Sequence, residues 1–223
     1  MTGASEALWE SVLKAMPLIV ILRGIEPEAA PAMAGALSSA GIRCVEVPLN
    51  SPNALKSISE IRRHFEDQLL VGAGTVLTQA EVDAIEKAGA QLCVSPNTNP
   101  GVIAAARNRN LVCIPGFATP TEAHTAIAAG ANALKLFPAE AASPAVLRAL
   151  RAVLPPTLPV LPVGGITPTH IAPYVAAGAA GFGVGSAIFT PGVSADTVAH
   201  RAATFVKAWN ERHLAPAGRG TSA

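Results

Sequence analysis

Ala128-Ala129-Gly130-Ala131-Asn132-Ala133-Leu134-Lys135-Leu136 holds the repeating unit of this chain: an alanine-rich stretch, a glycine, then a short apolar run. A glycine closing a helix supplies the left-handed backbone that ends it, and an apolar run of that length suits a strand buried on both faces. The same signature recurs at Ser39-Ala40-Gly41, Lys87-Ala88-Gly89 and Ala176-Ala177-Gly178. Helix, glycine stop, strand is therefore the expected unit, and eight strands are expected at 18–22, 44–47, 69–72, 91–94, 112–115, 133–136, 160–163 and 181–184. Pro27, Thr78, Thr119-Pro120, Ser143-Pro144 and Thr167-Pro168 stand where helix starts belong. Eight alternating units without a long linker predict an α/β protein, a closed (β/α)8 TIM barrel with an extra N-terminal helix over residues 6–15; an open doubly wound sheet is the alternative. One domain is expected over 1–213, and the Gly/Ala/Ser/Pro-rich tail at 214–223 is expected to be disordered.

With 223 residues, 50% hydrophobic and 14% charged, the chain can bury a large core. A formal net charge of +1 gives no bulk attraction to nucleic acid or to an anionic membrane surface. Glu6, Glu10 and Lys14 interrupt the apolar N-terminal stretch, which argues against a signal peptide, and no segment reads as a membrane span, so a cytoplasmic protein is expected. Cys44, Cys93 and Cys113 all fall in expected strands and read as small core residues. His64, His124, His170, His200 and His213 are scattered, without the spacing of a helical metal pair, so no metal and no cofactor is expected.

Lys135 is an amine on an expected buried strand, and burial disfavours its charged form. A neutral amine is a nucleophile toward a ketone, which is the start of a Schiff base. Alternation puts Ala133 and Lys135 on the inner face of the sixth expected strand, and Cys44 and Glu46 on the inner face of the second. One carboxylate and one amine thus point into the same interior, as an acid/base pair or as a structural ion pair that satisfies both. Arg23, at the end of the first strand, has the donor fork that suits a substrate carboxylate; it could equally be a surface arginine. Val163-Gly164-Gly165-Ile166 and Gly183-Val184-Gly185-Ser186 end the last two strands, where barrels bind phosphate, and the amides of Gly164, Gly165, Gly185 and Ser186 are the expected donors. Thr75, in Gly72-Ala73-Gly74-Thr75, either bonds substrate or caps the next segment.

These residues, with Leu22-Arg23-Gly24, Val45-Glu46-Val47-Pro48-Leu49-Asn50, Ser95-Pro96-Asn97, Ile114-Pro115-Gly116 and Leu134-Lys135-Leu136-Phe137-Pro138-Ala139, make the chain over about 17–190 resemble the class I aldolases that cleave 2-keto-3-deoxy-6-phospho sugar acids. The resemblance implies a Schiff base on Lys135, proton transfer by Glu46, a substrate carboxylate on Arg23 and a phosphate on the last two glycine turns. Pro96 and Phe137 would wall the pyruvate moiety. Asn50 and Val163 stand where gluconate-type members carry arginine and threonine, so the chain looks like the galactonate branch, with the gluconate epimer or 4-hydroxy-2-oxoglutarate as alternative substrates. The resemblance also implies a homotrimer. The rival classes are a metal-dependent aldolase or phosphosugar epimerase on the same fold, and a non-catalytic sugar-phosphate sensor.

Overall fold

The computed structural model describes residues 3–212. His213 and the tail expected to be disordered lie outside the described residues. Each expected strand is present within two residues of its expected bounds, and helices fill the intervals. In order these are α1 (Ala4–Ala15), β1 (Leu18–Ile21), α2 (Ala30–Ser39), β2 (Cys44–Pro48), α3 (Ala54–Phe65), β3 (Leu70–Gly74), α4 (Gln79–Lys87), β4 (Leu92–Val94) and α5 (Pro100–Asn108). There follow β5 (Val112–Ile114), β6 (Gly116–Phe117), α6 (Pro120–Ala128), β7 (Leu134–Leu136), α7 (Pro144–Arg151), β8 (Val160–Pro162), α8 (Ile171–Ala176), β9 (Phe182–Val184) and α9 (Ala195–Glu211). The four stop glycines, Gly41, Gly89, Gly130 and Gly178, all adopt positive φ, from 82° to 100°.

All pairings are parallel and form a curled α/β structure in two sheets, one in the order β5-β4-β3-β2-β1-β9 and one in the order β6-β7-β8. The fifth expected strand ends one residue early, at Ile114, because Pro115 has no N–H to give to a ladder, and a short strand outside the expected eight, β6, follows it. Backbone bonds run across both seams: the Lys135 amide donates to Pro115 O at 2.9 Å, and the Ala180 amide donates to Val160 O at 2.9 Å. A parallel bridge between Val163 and Gly183 adds to the second seam.

Side-chain alternation sorts the core into two clusters. Val45, Val47, Leu134 and Leu136 pack outward against the helices. Cys44, Ala133, Ile19, Leu70, Leu92 and Leu161 pack inward with one another. Glu46 and Lys135 follow Cys44 and Ala133 by two residues and so share the inner face, as the pattern predicts. α1 contributes Trp9 and Val12 to the inner cluster, and Glu6 ties the helix down through Arg107 at 2.5 Å and Asn132 at 3.1 Å. The expected leading helix thus covers the inner core and starts slightly earlier, at Ala4.

Two of the expected helix starts are reciprocal caps: Thr78 with Glu81, and Thr119 with Glu122. Ser143 precedes α7 without a side-chain cap bond, and Thr167 opens a 3₁₀ turn, Pro168–His170. Pro27 is a correction: it lies in the turn before α2, whose first turn carries Pro31 instead. Among the described residues, no helix is long and apolar enough to cross a membrane.

Removing the Trp9 ring leaves a cavity that the surrounding strands cannot close. Trp9→Ala is expected to lower unfolding free energy by about 3–5 kcal/mol, measured by denaturant titration, whereas a loss under about 1 kcal/mol would mean that α1 is peripheral to the core.

Candidate active site

Lys135 is locked by its backbone. Its residue pairs with Gly116 on one side and Leu161 on the other, so the side chain must enter the interior. It is 7% exposed, and its Nζ lies 4.6 Å from the ring centroid of Phe137, two residues along the same face. Burial pushes the amine's pKa below its ordinary value; the charge of Glu46 opposes this, and that of Arg23 reinforces it.

Glu46 is 2% exposed and sits between Ile21 and Gly72 in the register of β1, β2 and β3. Its Oε2 is buried with no hydrogen-bond partner. The carboxylate occupies space that only glycine leaves free, since a Cβ at Gly74 would collide with it. Burial pushes its pKa up to about 7, with the charges of Lys135 and Arg23 offsetting only part of that cost. Among the described residues no ion pair within 4.0 Å joins Glu46 to Lys135, although each feels the other's charge.

Above Lys135 opens a cleft of about 590 Å³. Arg23, Thr75, Pro96 and Phe137 line it, together with Val163-Gly164-Gly165 and Gly185-Ser186 from the two glycine turns. Glu46 does not line this cleft. It lines a small void beneath, which shares Ile21, Lys135, Val163 and Gly183 with the cleft above. Lys135 therefore stands at the boundary between the carboxylate and the open site. Gly164 and Gly165 have φ of 114° and 60°, a turn that other residues adopt only under strain. Thr75, in the left-handed region at φ 58°, is a β-branched residue held in such strain.

Asn50 is one layer back. Its Oδ1 accepts a 2.5 Å bond from Arg23 Nη1, and the next residue, Ser51, accepts at Oγ from the Gly24 amide at 2.9 Å. The loop after β2 thus aims the guanidinium at the end of β1. Sequence reasoning missed Glu140, Thr167, Phe189 and Thr190, which also line the cleft. Glu140 follows Lys135 in the loop at the same strand end, so the strand-end rule would have found it. Thr167 was legible only as a cap.

The three cysteines are free and buried, with Cys93 opposite Cys113 across β4 and β5. No described histidine lines the cleft. Among the described residues, no group of three or more His, Cys, Asp or Glu is arranged to hold a metal ion. What remains is an apolar-walled cleft with an amine at its base, a carboxyl group behind the amine, a guanidinium at its rim and two glycine turns. That set can hold a dianionic small molecule and form a covalent bond to a carbonyl carbon.

Residues 9–203 match the family of KDPG and KHG aldolases. The chain is 47% identical over 203 residues to the 2-dehydro-3-deoxy-6-phosphogalactonate aldolase of Escherichia coli strain K12, covering 91% of this chain and 98% of that protein. A solved structure named native KDPGal overlays with a TM-score of 0.88 at 47% identity, covering 90% of this chain and 97% of the other. The KDPG aldolase of Legionella pneumophila, solved with pyruvate captured at low pH as a covalent carbinolamine intermediate, overlays with a TM-score of 0.78 at 29% identity, covering 92% and 98%.

Because the charge of Glu46 raises the pKa of Lys135, neutralising it removes the one nearby influence that favours the ammonium. Glu46→Gln is expected to shift the Lys135 titration to still lower pH, read by NMR of the isotopically labelled side chain. A shift to higher pH would contradict the coupling.

Proposed function

The chain belongs to the KDPG and KHG aldolase family, and on that premise we propose that it is a class I aldolase, a carbon-carbon lyase that cleaves 2-dehydro-3-deoxy-6-phosphogalactonate to pyruvate and D-glyceraldehyde 3-phosphate. The observation that carries this reading is the joint position of Lys135 and Glu46 on one buried void below the cleft, with Glu46 Oε2 unpaired. A carboxyl group with a pKa near 7 is available as both acid and base at neutral pH.

Neutral Lys135 Nζ attacks the C2 ketone, and Glu46 moves protons as the carbinolamine loses water to give the iminium. The iminium withdraws electrons from the C3–C4 bond. Glu46, directly or through one water, takes the proton of the C4 hydroxyl; the C3–C4 bond breaks, its electron pair enters the enamine, and glyceraldehyde 3-phosphate leaves. Protonation of the enamine at C3 and hydrolysis of the imine then release pyruvate and restore the amine.

Arg23, aimed by Asn50, binds the substrate carboxylate. Gly164, Gly165, Gly185 and Ser186 hold the phosphate through their amides, and Pro96 and Phe137 wall the pyruvate moiety. Thr75 offers its hydroxyl to the bound substrate.

Val163 favours the galactonate epimer, whereas Asn50, one layer back, acts on the substrate only through Arg23. The two epimers differ at C4, beside the breaking bond, and Val163 lines both the cleft and the void without a hydrogen-bonding group. The name of the E. coli relative supports the same branch. The two seams between the sheets support a closed (β/α)8 barrel. A homotrimer in the cytoplasm, where a phosphorylated sugar acid is retained by its charge, completes the reading.

Paired kinetics on the two C4 epimers test it. The galactonate epimer is expected to have the higher kcat/KM, and Val163→Thr is expected to narrow the ratio by about tenfold by giving the C4 hydroxyl of the gluconate epimer a partner. A folded protein that cleaves neither epimer would end the proposal.

A further inference from the structure

Glu140 has no part in the mechanism above, yet it lines the cleft beside Gly164 and Gly165. It stands on the 3₁₀ turn Ala139–Ala141, which follows the strand of Lys135. Its side chain lies on the glycine turn: a Cβ at Gly164 would collide with Glu140 Oε2, and one at Gly165 would come within 2.8 Å of its Cγ. The turn that carries it is fixed from below. The buried Tyr174 hydroxyl lies 2.8 Å from Ala142 O and 3.1 Å from Ala139 O, and the Ala139 amide donates to Val163 O at 2.8 Å.

A carboxylate is thus held against the turn whose amides suit an anion. Beside a dianion it is repulsive, but an anion that keeps one proton can donate that proton to it. A phosphate monoester has its second pKa near ~6 and exists in both forms around neutrality. A carboxylate at the same end of a substrate, with a pKa near ~4, has no proton to give there.

The other ionisable groups around Glu140 are few. Arg23 and Lys135 line the same cleft, and His170 and Tyr174 line, with Glu140, a smaller pocket of about 290 Å³ behind the glycine turn. The Thr167 amide donates a 3.2 Å bond to His170 Nδ1. Tyr174 is held above its ordinary pKa, first by burial and then by the charge of Glu140.

We propose that Glu140 is a specificity residue for the distal group of the substrate, admitting a phosphate monoester as its monoanion through a phosphate O–H to carboxylate bond and penalising a distal carboxylate. This rests on the aldolase reading and adds to it the ionisation state of the group that the site selects.

The test is Glu140→Gln, an isosteric change at an exposed side chain, with kcat/KM measured from pH 5.5 to 8.5 as the ratio of variant to wild type. The ratio cancels the titration of Lys135 and Glu46, which both enzymes share. For the phosphorylated substrate it is expected to rise from near one at the acid end to about fivefold at the alkaline end, the size of one unit-charge repulsion across a solvated gap. For 4-hydroxy-2-oxoglutarate, which ends in a carboxylate, the ratio is expected to be about fivefold at every pH. A ratio that stays at one for both substrates, or falls below one by the same factor for both at all pH, would overturn the proposal. Cleavage by the wild-type enzyme in the same assays separates that outcome from failure of the aldolase reading, in which wild type would cleave neither substrate.

Discussion

Desolvation of two opposite ionisable groups inside one apolar interior is the constraint on which this molecule depends. Lys135 and Glu46 are almost fully removed from water, and Oε2 of Glu46 has no hydrogen-bond partner. A buried ion pair is often no more stable than apolar residues of the same volume, and an unpartnered carboxylate oxygen is worse. The fold therefore carries a destabilising feature at its centre. In return, the amine is pushed toward its neutral form and the carboxyl group toward a pKa at which it can both give and take a proton.

The scaffold around the two groups is what makes that state tolerable. Parallel strands with short hydrogen-bonded registers fix the face from which each side chain leaves, so both groups are directed into the interior. Trp9 and Val12 of α1 help to fill the interior with apolar side chains. Gly74 leaves room for the Glu46 carboxylate, and the loop after β2 binds back onto Arg23 and Gly24. Chemistry and packing meet at the strand ends. There the interior gives way to a cleft lined by loops, and loop residues can vary without disturbing the strands.

Much of this was legible in the sequence. Strand positions follow from apolar runs after stop glycines, because a buried parallel strand needs both features and little else does. The inward direction of Lys135 and Glu46 follows from alternation with Ala133 and Cys44. The first of the two glycine turns announced itself because positive φ at Gly164 and Gly165 admits few other residues. Contacts between loops were harder to read. That Asn50 orients Arg23 instead of lining the cleft depends on two loops meeting in space, 27 positions apart in the chain. Glu140 stood within reach of the strand-end rule, but only its position over the glycine turn gives it meaning. The break at Pro115 and the place of Pro27 outside α2 are local matters, where a proline's missing donor is compatible with more than one outcome.

The central claim is that burial has made Lys135 the nucleophile. Incubating the protein with pyruvate, reducing with borohydride and mapping the modified peptide by mass spectrometry tests it most directly, with Lys135→Ala as the blank. A stable adduct on Lys135, absent from the variant, is the predicted result. A folded protein that forms no adduct, or forms it equally on surface lysines and in the variant, would contradict the claim.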